Sequence, residues 1–130
     1  MYAYKRGDYE HCLQLSTRNV CTLLYAKEMS NVLLLPEFIQ LLDNDIVSLT
    51  ALTMMVDRHP AYNVVITQLT LSLYLMTQCQ LKLRHSATSF AQTLDYVKVA
   101  RRMLPVDRTM DQLTLNLCTA ITRRVFKFCE

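Results

Sequence analysis

The chain has 130 residues, 52% of them hydrophobic, and a net charge of +3. That is enough apolar side chain for one domain to bury a core, and it argues against disorder. A single glycine and three prolines leave too little turn chemistry for a many-stranded sandwich or barrel, so long helices joined by short loops are expected.

The charge is uneven. Residues 1–81 hold five Lys/Arg against seven Asp/Glu, whereas residues 82–130 hold nine against four. The C-terminal half therefore suits an acidic partner. Cys12, Cys21, Cys79, Cys118 and Cys129 contain no C-x-x-C pair and are odd in number, which argues against a disulfide framework, and the N-terminus has no leader pattern. Reduced, mostly buried thiols in a cytoplasmic protein are the expectation.

In chain order, Gly7-Asp8 breaks two helical stretches. After it, Tyr9, Cys12, Leu13, Leu15, Val20, Leu23 and Leu24 recur at mostly helical spacings. Pro36 can open a short helix reaching about Leu42, with Glu37 favourable in its first turn. Asp43, Asn44 and Asp45 then stop that helix and cap the next, in which Ile46, Leu49, Leu52, Thr53 and Val56 align until His59-Pro60 ends it.

From Val64 to Arg84 about 21 residues pass without glycine or proline, far longer than an ordinary strand, so the whole stretch is expected to be helical. Ile66, Leu69, Leu73 and Met76 make one stripe, and Leu71, Leu75 and Cys79 a second beside it. A helix apolar on so much of its circumference calls for neighbours on several sides. Val64 to Leu81 is uncharged, but Gln68, Gln78 and Gln80 would each need a hydrogen-bond partner in lipid, which argues against a membrane span.

After His85-Ser86, a helix with Phe90, Leu94, Val97, Ala100 and Leu104 on one face is expected, with Arg101 and Arg102 in its last turns and Pro105 as its stop. Asp107 can cap a last helix whose inner face is expected at Leu113, Leu117, Ala120 and Ile121. The sum is about six helices and no strand.

"QLTLSL" at 68–73 returns as "QLTLNL" at 112–117, 44 residues later. Each copy lies in a long predicted helix with one helix between them, as in stacked helical hairpins. "YKRGDYEHCLQL" resembles the middle of a tetratricopeptide repeat. Gly7 and Asp8 stand at the inter-helix turn, Tyr9 is the aromatic just inside the second helix, and Cys12 takes the small-residue position. The segment ending at Pro105 matches more loosely through Phe90, Val97, Ala100 and Pro105, with Thr93 at the small position. Ser16 stands where the family has a large aromatic, and the echo spacing differs from the family's ~34 residues.

The resemblance implies an all-α fold, a right-handed tetratricopeptide-like array of stacked antiparallel helical hairpins in a single domain over residues 1–130. Because Gly7 falls near the middle of a unit, a C-terminal piece of a longer protein is expected. "LLPEFIQLLDNDIVSLTAL" and "QLTLSLYLMTQCQLKLRHS" are also similar to C-terminal helical extensions of invertebrate proteins carrying a nucleotidyltransferase-like domain related to cyclic GMP-AMP synthase. That likeness implies an upstream catalytic or sensing domain.

Little chemistry is spelled out. Gly7 is the only glycine, so no Walker, dinucleotide-binding or nucleophile-elbow loop can exist. His11, His59 and His85 lack metal-ligand spacing, and adjacent His11 and Cys12 point about 100° apart on a helix. Asp43-Asn44-Asp45 reads as a capping turn and Met54-Met55 as core filling. No catalytic residue, metal or cofactor is expected. Lys98, Arg101, Arg102, Arg123, Arg124 and Lys127 form the candidate partner-binding surface. The expected function is a non-enzymatic scaffold for another protein or an upstream domain, with nucleic-acid binding through the same basic helices as the alternative.

Overall fold

The computed structural model describes residues 6–27, 31–34, 64–104 and 109–129. Within them lie helix α1 (Tyr9–Ala26), strands β1 (Asn31–Leu34) and β2 (Val64–Thr67), and helices α2 (Gln68–Lys82), α3 (Ala87–Met103) and α4 (Thr109–Cys129). The expected helices at 36–42 and 46–56, together with Pro105 and Asp107, lie outside the described residues.

The fold is mostly helical. Helix α1 starts where the sequence indicates: Gly7 turns the chain at φ +82, and the Asp8 carboxylate accepts from the His11 backbone N–H at 3.3 Å. This N-cap satisfies one of the donors that every helix start leaves without an intrahelical partner. Cys12, Val20 and Leu23 are buried, with Tyr9, Leu13 and Leu24 half-buried against them. Leu15 is exposed, and Ser16 is buried in its stead, within reach of the Cys12 sulfur.

The expectation of one continuous helix over 64–84 is corrected. Val64–Thr67 is a strand, paired antiparallel with β1 in the register Asn31 with Thr67 through Leu34 with Val64. Val64, Val65, Ile66 and Thr67 are all β-branched, which stiffens χ1 and favours a pleated backbone over a helical one. Thr67 ends the strand in extended geometry and caps α2, its hydroxyl accepting from the Thr70 N–H at 3.2 Å. Strand therefore passes into helix with no loop between them.

Helix α2 is central among the described residues. Every residue from Leu69 to Gln80 is buried, and the helix packs against α1, α3 and α4. Both predicted stripes, including Leu69, Leu73 and Met76 on one and Leu71, Leu75 and Cys79 on the other, are inside. Full burial of such a side chain contributes about 1.5–3 kcal/mol. The polar residues among them have local partners. The Thr77 hydroxyl donates to the Leu73 carbonyl at 2.8 Å, and Gln80 accepts from the Thr93 hydroxyl of α3 at 2.6 Å.

Helix α2 ends in a Schellman motif, with the His85 N–H on the Gln80 carbonyl and the Arg84 N–H on the Leu81 carbonyl. The left-handed position that motif requires is held by Arg84 at φ 55. Helix α3 buries Phe90, Val97, Ala100 and Leu104 as expected. It packs on α4 across a short link, so the two form an antiparallel pair.

The predicted inner face of α4 is also corrected. Leu113, Leu117 and Ile121 are half-buried and Ala120 is exposed, whereas Met110, Asp111, Thr114, Leu115, Cys118 and Thr122 are buried. The threonines fit inside because their hydroxyls bond to carbonyls one turn back: Thr114 to Met110 and Thr122 to Cys118, each at 2.8 Å.

Candidate functional site

Helices α3 and α4 present facing stripes with the same spacing. Leu94, Val97, Lys98 and Arg101 lie at i, i+3, i+4 and i+7 on α3, and Asn116, Thr119, Ala120 and Arg123 repeat that spacing on α4. Together these residues line a groove of about 490 Å³. Small Ala120 and Thr119 leave this space open opposite the buried Val97, while Lys98, Arg101, Asn116 and Arg123 are exposed to solvent.

The groove is basic and has an aliphatic floor. Among the described residues, no carboxylate and no aromatic ring lines it. Arg101 is held across the cleft, its guanidinium donating to the Thr119 hydroxyl at 3.1 Å, while that hydroxyl donates to the Leu115 carbonyl at 2.9 Å. One hydroxyl thus fixes the arginine on the rim and pins its own orientation to the helix backbone.

Of the six predicted partner-binding residues, the structure brings Lys98, Arg101 and Arg123 together in this groove. Arg102, Arg124 and Lys127 are exposed but do not line it. Arg102 and Arg124 each follow a lining arginine by one residue, which turns them about 100° around the helix. Asn116 and Thr119 escaped the sequence reading, being uncharged and outside any motif. Their signal was the helical spacing to Arg123.

The residues on which the expected tetratricopeptide resemblance rests have structural roles. Gly7 and Asp8 make the turn and cap, Cys12 is buried beneath α2, and Phe90, Val97 and Ala100 face inward. Thr93 is the buried α3 residue that meets Gln80. Pro105 lies outside the described residues.

Three described cysteines are buried (Cys12, Cys79 and Cys118), Cys21 is exposed, and all four are free thiols. Burial pushes the Cys118 thiol up to about 12, only partly opposed by a hydrogen bond with Thr77. The hydrogen bond from Cys79 lowers the Cys12 thiol to about 6 against the opposing effect of burial. Cys21 lies 3.7 Å from the Tyr96 hydroxyl and raises its pKa. Among the described residues, no three His, Cys, Asp or Glu side chains gather closely enough to hold a metal ion, and no helix is long and apolar enough to cross a membrane. Compared with known proteins, the chain matches no family model, no curated protein and no solved structure.

Proposed function

We propose that this chain is a non-enzymatic, tetratricopeptide-like scaffold that binds another protein, or another domain of its parent chain, through the α3/α4 groove. The observation that carries the proposal is the convergence of Lys98, Arg101 and Arg123 on one open groove, with no carboxylate among the described residues that line it. Such a surface is electrostatically incomplete, and an acidic partner completes it.

The packing scheme supports the scaffold part of the reading. Helix α2 touches the helix before it, its neighbour α3, and α4, as expected where hairpins stack and each inner helix is covered by the next unit. The two copies of the six-residue echo open α2 and lie near the start of α4, as a repeated unit would place them.

A nucleic-acid-binding reading is favoured by six exposed cations on two helices, but the described residues that line the groove include no ring on which a base could stack. The test is affinity capture from a cell lysate on the immobilised chain, with and without nuclease, beside a Lys98→Glu/Arg101→Glu/Arg123→Glu variant. Protein recovered despite nuclease and lost with the variant supports the proposal. Equal recovery by both chains contradicts it, and recovery that nuclease abolishes favours nucleic acid.

A further inference from the structure

Two buried thiols meet across the α1/α2 interface. Cys12 is in the first turn of α1 and Cys79 in the last turn of α2. Both belong to one core cluster, 2% and 0% exposed, and the Cys79 thiol is hydrogen-bonded to the Cys12 sulfur. We propose that this pair is a reversible redox site, in which a hydroperoxide oxidises Cys12 and Cys79 resolves it as a disulfide that staples α1 to α2.

The surroundings set which sulfur attacks. Cys79 and Ser16, whose Oγ lies 3.9 Å from the Cys12 sulfur, both stabilise its anion and, against burial, lower the thiol to about 6. The start of a helix favours the same charge. Cys12 is therefore mainly thiolate at neutral pH, the form that reacts. Cys118 is the internal contrast: burial holds it up to about 12, so it stays a thiol. Cys21 is exposed and lies beside the Tyr96 hydroxyl.

The reaction balances with hydrogen peroxide as the oxidant. The Cys12 thiolate attacks one peroxide oxygen, an S–O bond forms, the O–O bond breaks, and the leaving hydroxide takes up a proton. Cys12 has then lost two electrons and is a sulfenic acid. The Cys79 sulfur attacks it, the S–S bond forms as the S–O bond breaks, and hydroxide leaves as water with the Cys79 proton. Two thiols and one peroxide give one disulfide and two waters. The hydrogen-bonded sulfurs have only to close to ~2.05 Å. Peroxide reaches them by opening of the first turn of α1, since helix ends fray more readily than their centres.

The position of the bond gives it an effect on the fold. Thr67 is held in the β1/β2 ribbon, and Cys79 lies twelve residues further on, about 18 Å along α2. The disulfide thus ties the end of the helix pair away from the ribbon, and it closes a long loop in the unfolded chain.

The test is treatment of the full chain with hydrogen peroxide at neutral pH, followed by peptide mapping without reduction. A Cys12–Cys79 linkage is expected as the main product within one chain, with the loss of two hydrogens in intact mass, a raised melting temperature, and reversal of both by a dithiol. It should form at least tenfold faster than Cys118 is oxidised, and as fast in Cys21→Ser as in the parent chain. In Cys79→Ala a sulfenic-acid probe such as dimedone should label Cys12, whereas Cys12→Ala should leave Cys79 unlabelled. Oxidation confined to Cys21, linkage between chains, or a Cys12–Cys79 bond that forms only in denaturant would overturn the proposal. The mapping of the parent chain decides the matter even if a variant does not fold.

Discussion

Thr67 and Asp111, 44 positions apart, are joined by two hydrogen bonds to one oxygen: the Thr67 backbone N–H at 2.8 Å and its hydroxyl at 3.0 Å both donate to Asp111 Oδ1. Each residue stands immediately before a copy of the repeated hexapeptide. The bonds therefore fix the start of α2 beside the first turn of α4. Since the Thr67 hydroxyl gives its proton to Asp111, its lone pairs are free to accept from the Thr70 N–H and the Thr70 hydroxyl, 2.7 Å away. One threonine closes the strand, caps the helix and ties α2 to α4.

Asp111→Ala removes the acceptor and leaves the buried Thr67 N–H without it. Hydrogen bonds to charged groups contribute about 1.5–3 kcal/mol each, so a loss of roughly 3 kcal/mol is expected. Thr67→Val keeps the backbone bond and is expected to cost less, about 1–2 kcal/mol including the cap. Urea denaturation of both variants checks the order. Asp111→Ala within ~0.5 kcal/mol of the parent chain would show that the junction does not depend on this carboxylate.

Gln80 joins α2 to α3 by two bonds, accepting from the Thr93 hydroxyl at 2.6 Å and donating to the Ser89 carbonyl at 3.4 Å. Thr93→Val strands the buried Gln80 Oε1 and is expected to cost about 1–3 kcal/mol, whereas in Gln80→Leu the Thr93 hydroxyl can still donate to the Ser89 carbonyl at 3.3 Å and the cost is expected to be smaller. The double variant should recover much of that loss, because no polar atom of the pair remains to be satisfied. A double-mutant cycle by chemical denaturation measures the coupling, and strictly additive costs would count against the contact.

Backbone conformation gives two predictions of opposite sign. Gly7 has φ +82 and nothing within 4 Å of a would-be Cβ, so Gly7→Ala meets no clash and is expected to cost only the left-handed penalty of about 1–2 kcal/mol. Arg84 already bears that penalty at φ 55, and Arg84→Gly should stabilise the chain by up to about 1 kcal/mol. Thermal melts of the two variants should move in opposite directions.

Cys118 makes stability depend on alkaline pH. Its thiol stays protonated in the folded chain until about pH 12, against 9.0 for the unexposed-to-protein reference. Between those values the unfolded chain has released a proton that the folded chain retains, so stability falls as pH rises through the interval. The effect is expected to reach roughly 4 kcal/mol at its upper end. Melting curves from pH 8 to 11 should slope less steeply in Cys118→Ala, and identical slopes would exclude this thiol as the cause.

The helices were legible in the sequence where local chemistry and apolar period agreed. Gly7, Asp8 and the spacing of Cys12, Val20 and Leu23 gave α1, and Phe90, Val97 and Ala100 gave the inner face of α3. Val64–Thr67 was misread because an uncharged stretch without breakers looks continuous, although four β-branched residues in succession marked the strand. The face of α4 was misplaced because Thr114, Thr122 and Asp111 count as polar on any hydropathy pattern. Their burial depends on bonds to Met110, Cys118 and Thr67 that become visible only in three dimensions.

The basic surface was legible as six cations, but not as a groove. Which three converge depends on how α3 and α4 are rotated about their own axes, and that follows from the packing of Val97, Ala100, Leu115 and Cys118 in the core. Asn116 and Thr119 carry no charge to announce them.

The most direct measurement is a titration of the isotope-labelled chain with a glutamate-rich nonapeptide, followed through backbone amide resonances. Shifts concentrated at residues 94–101 and 116–123, saturating at one equivalent, are the expected result. Shifts that instead centre on Arg102, Arg124 and Lys127, or that leave the groove residues unmoved, would contradict the groove as the binding site.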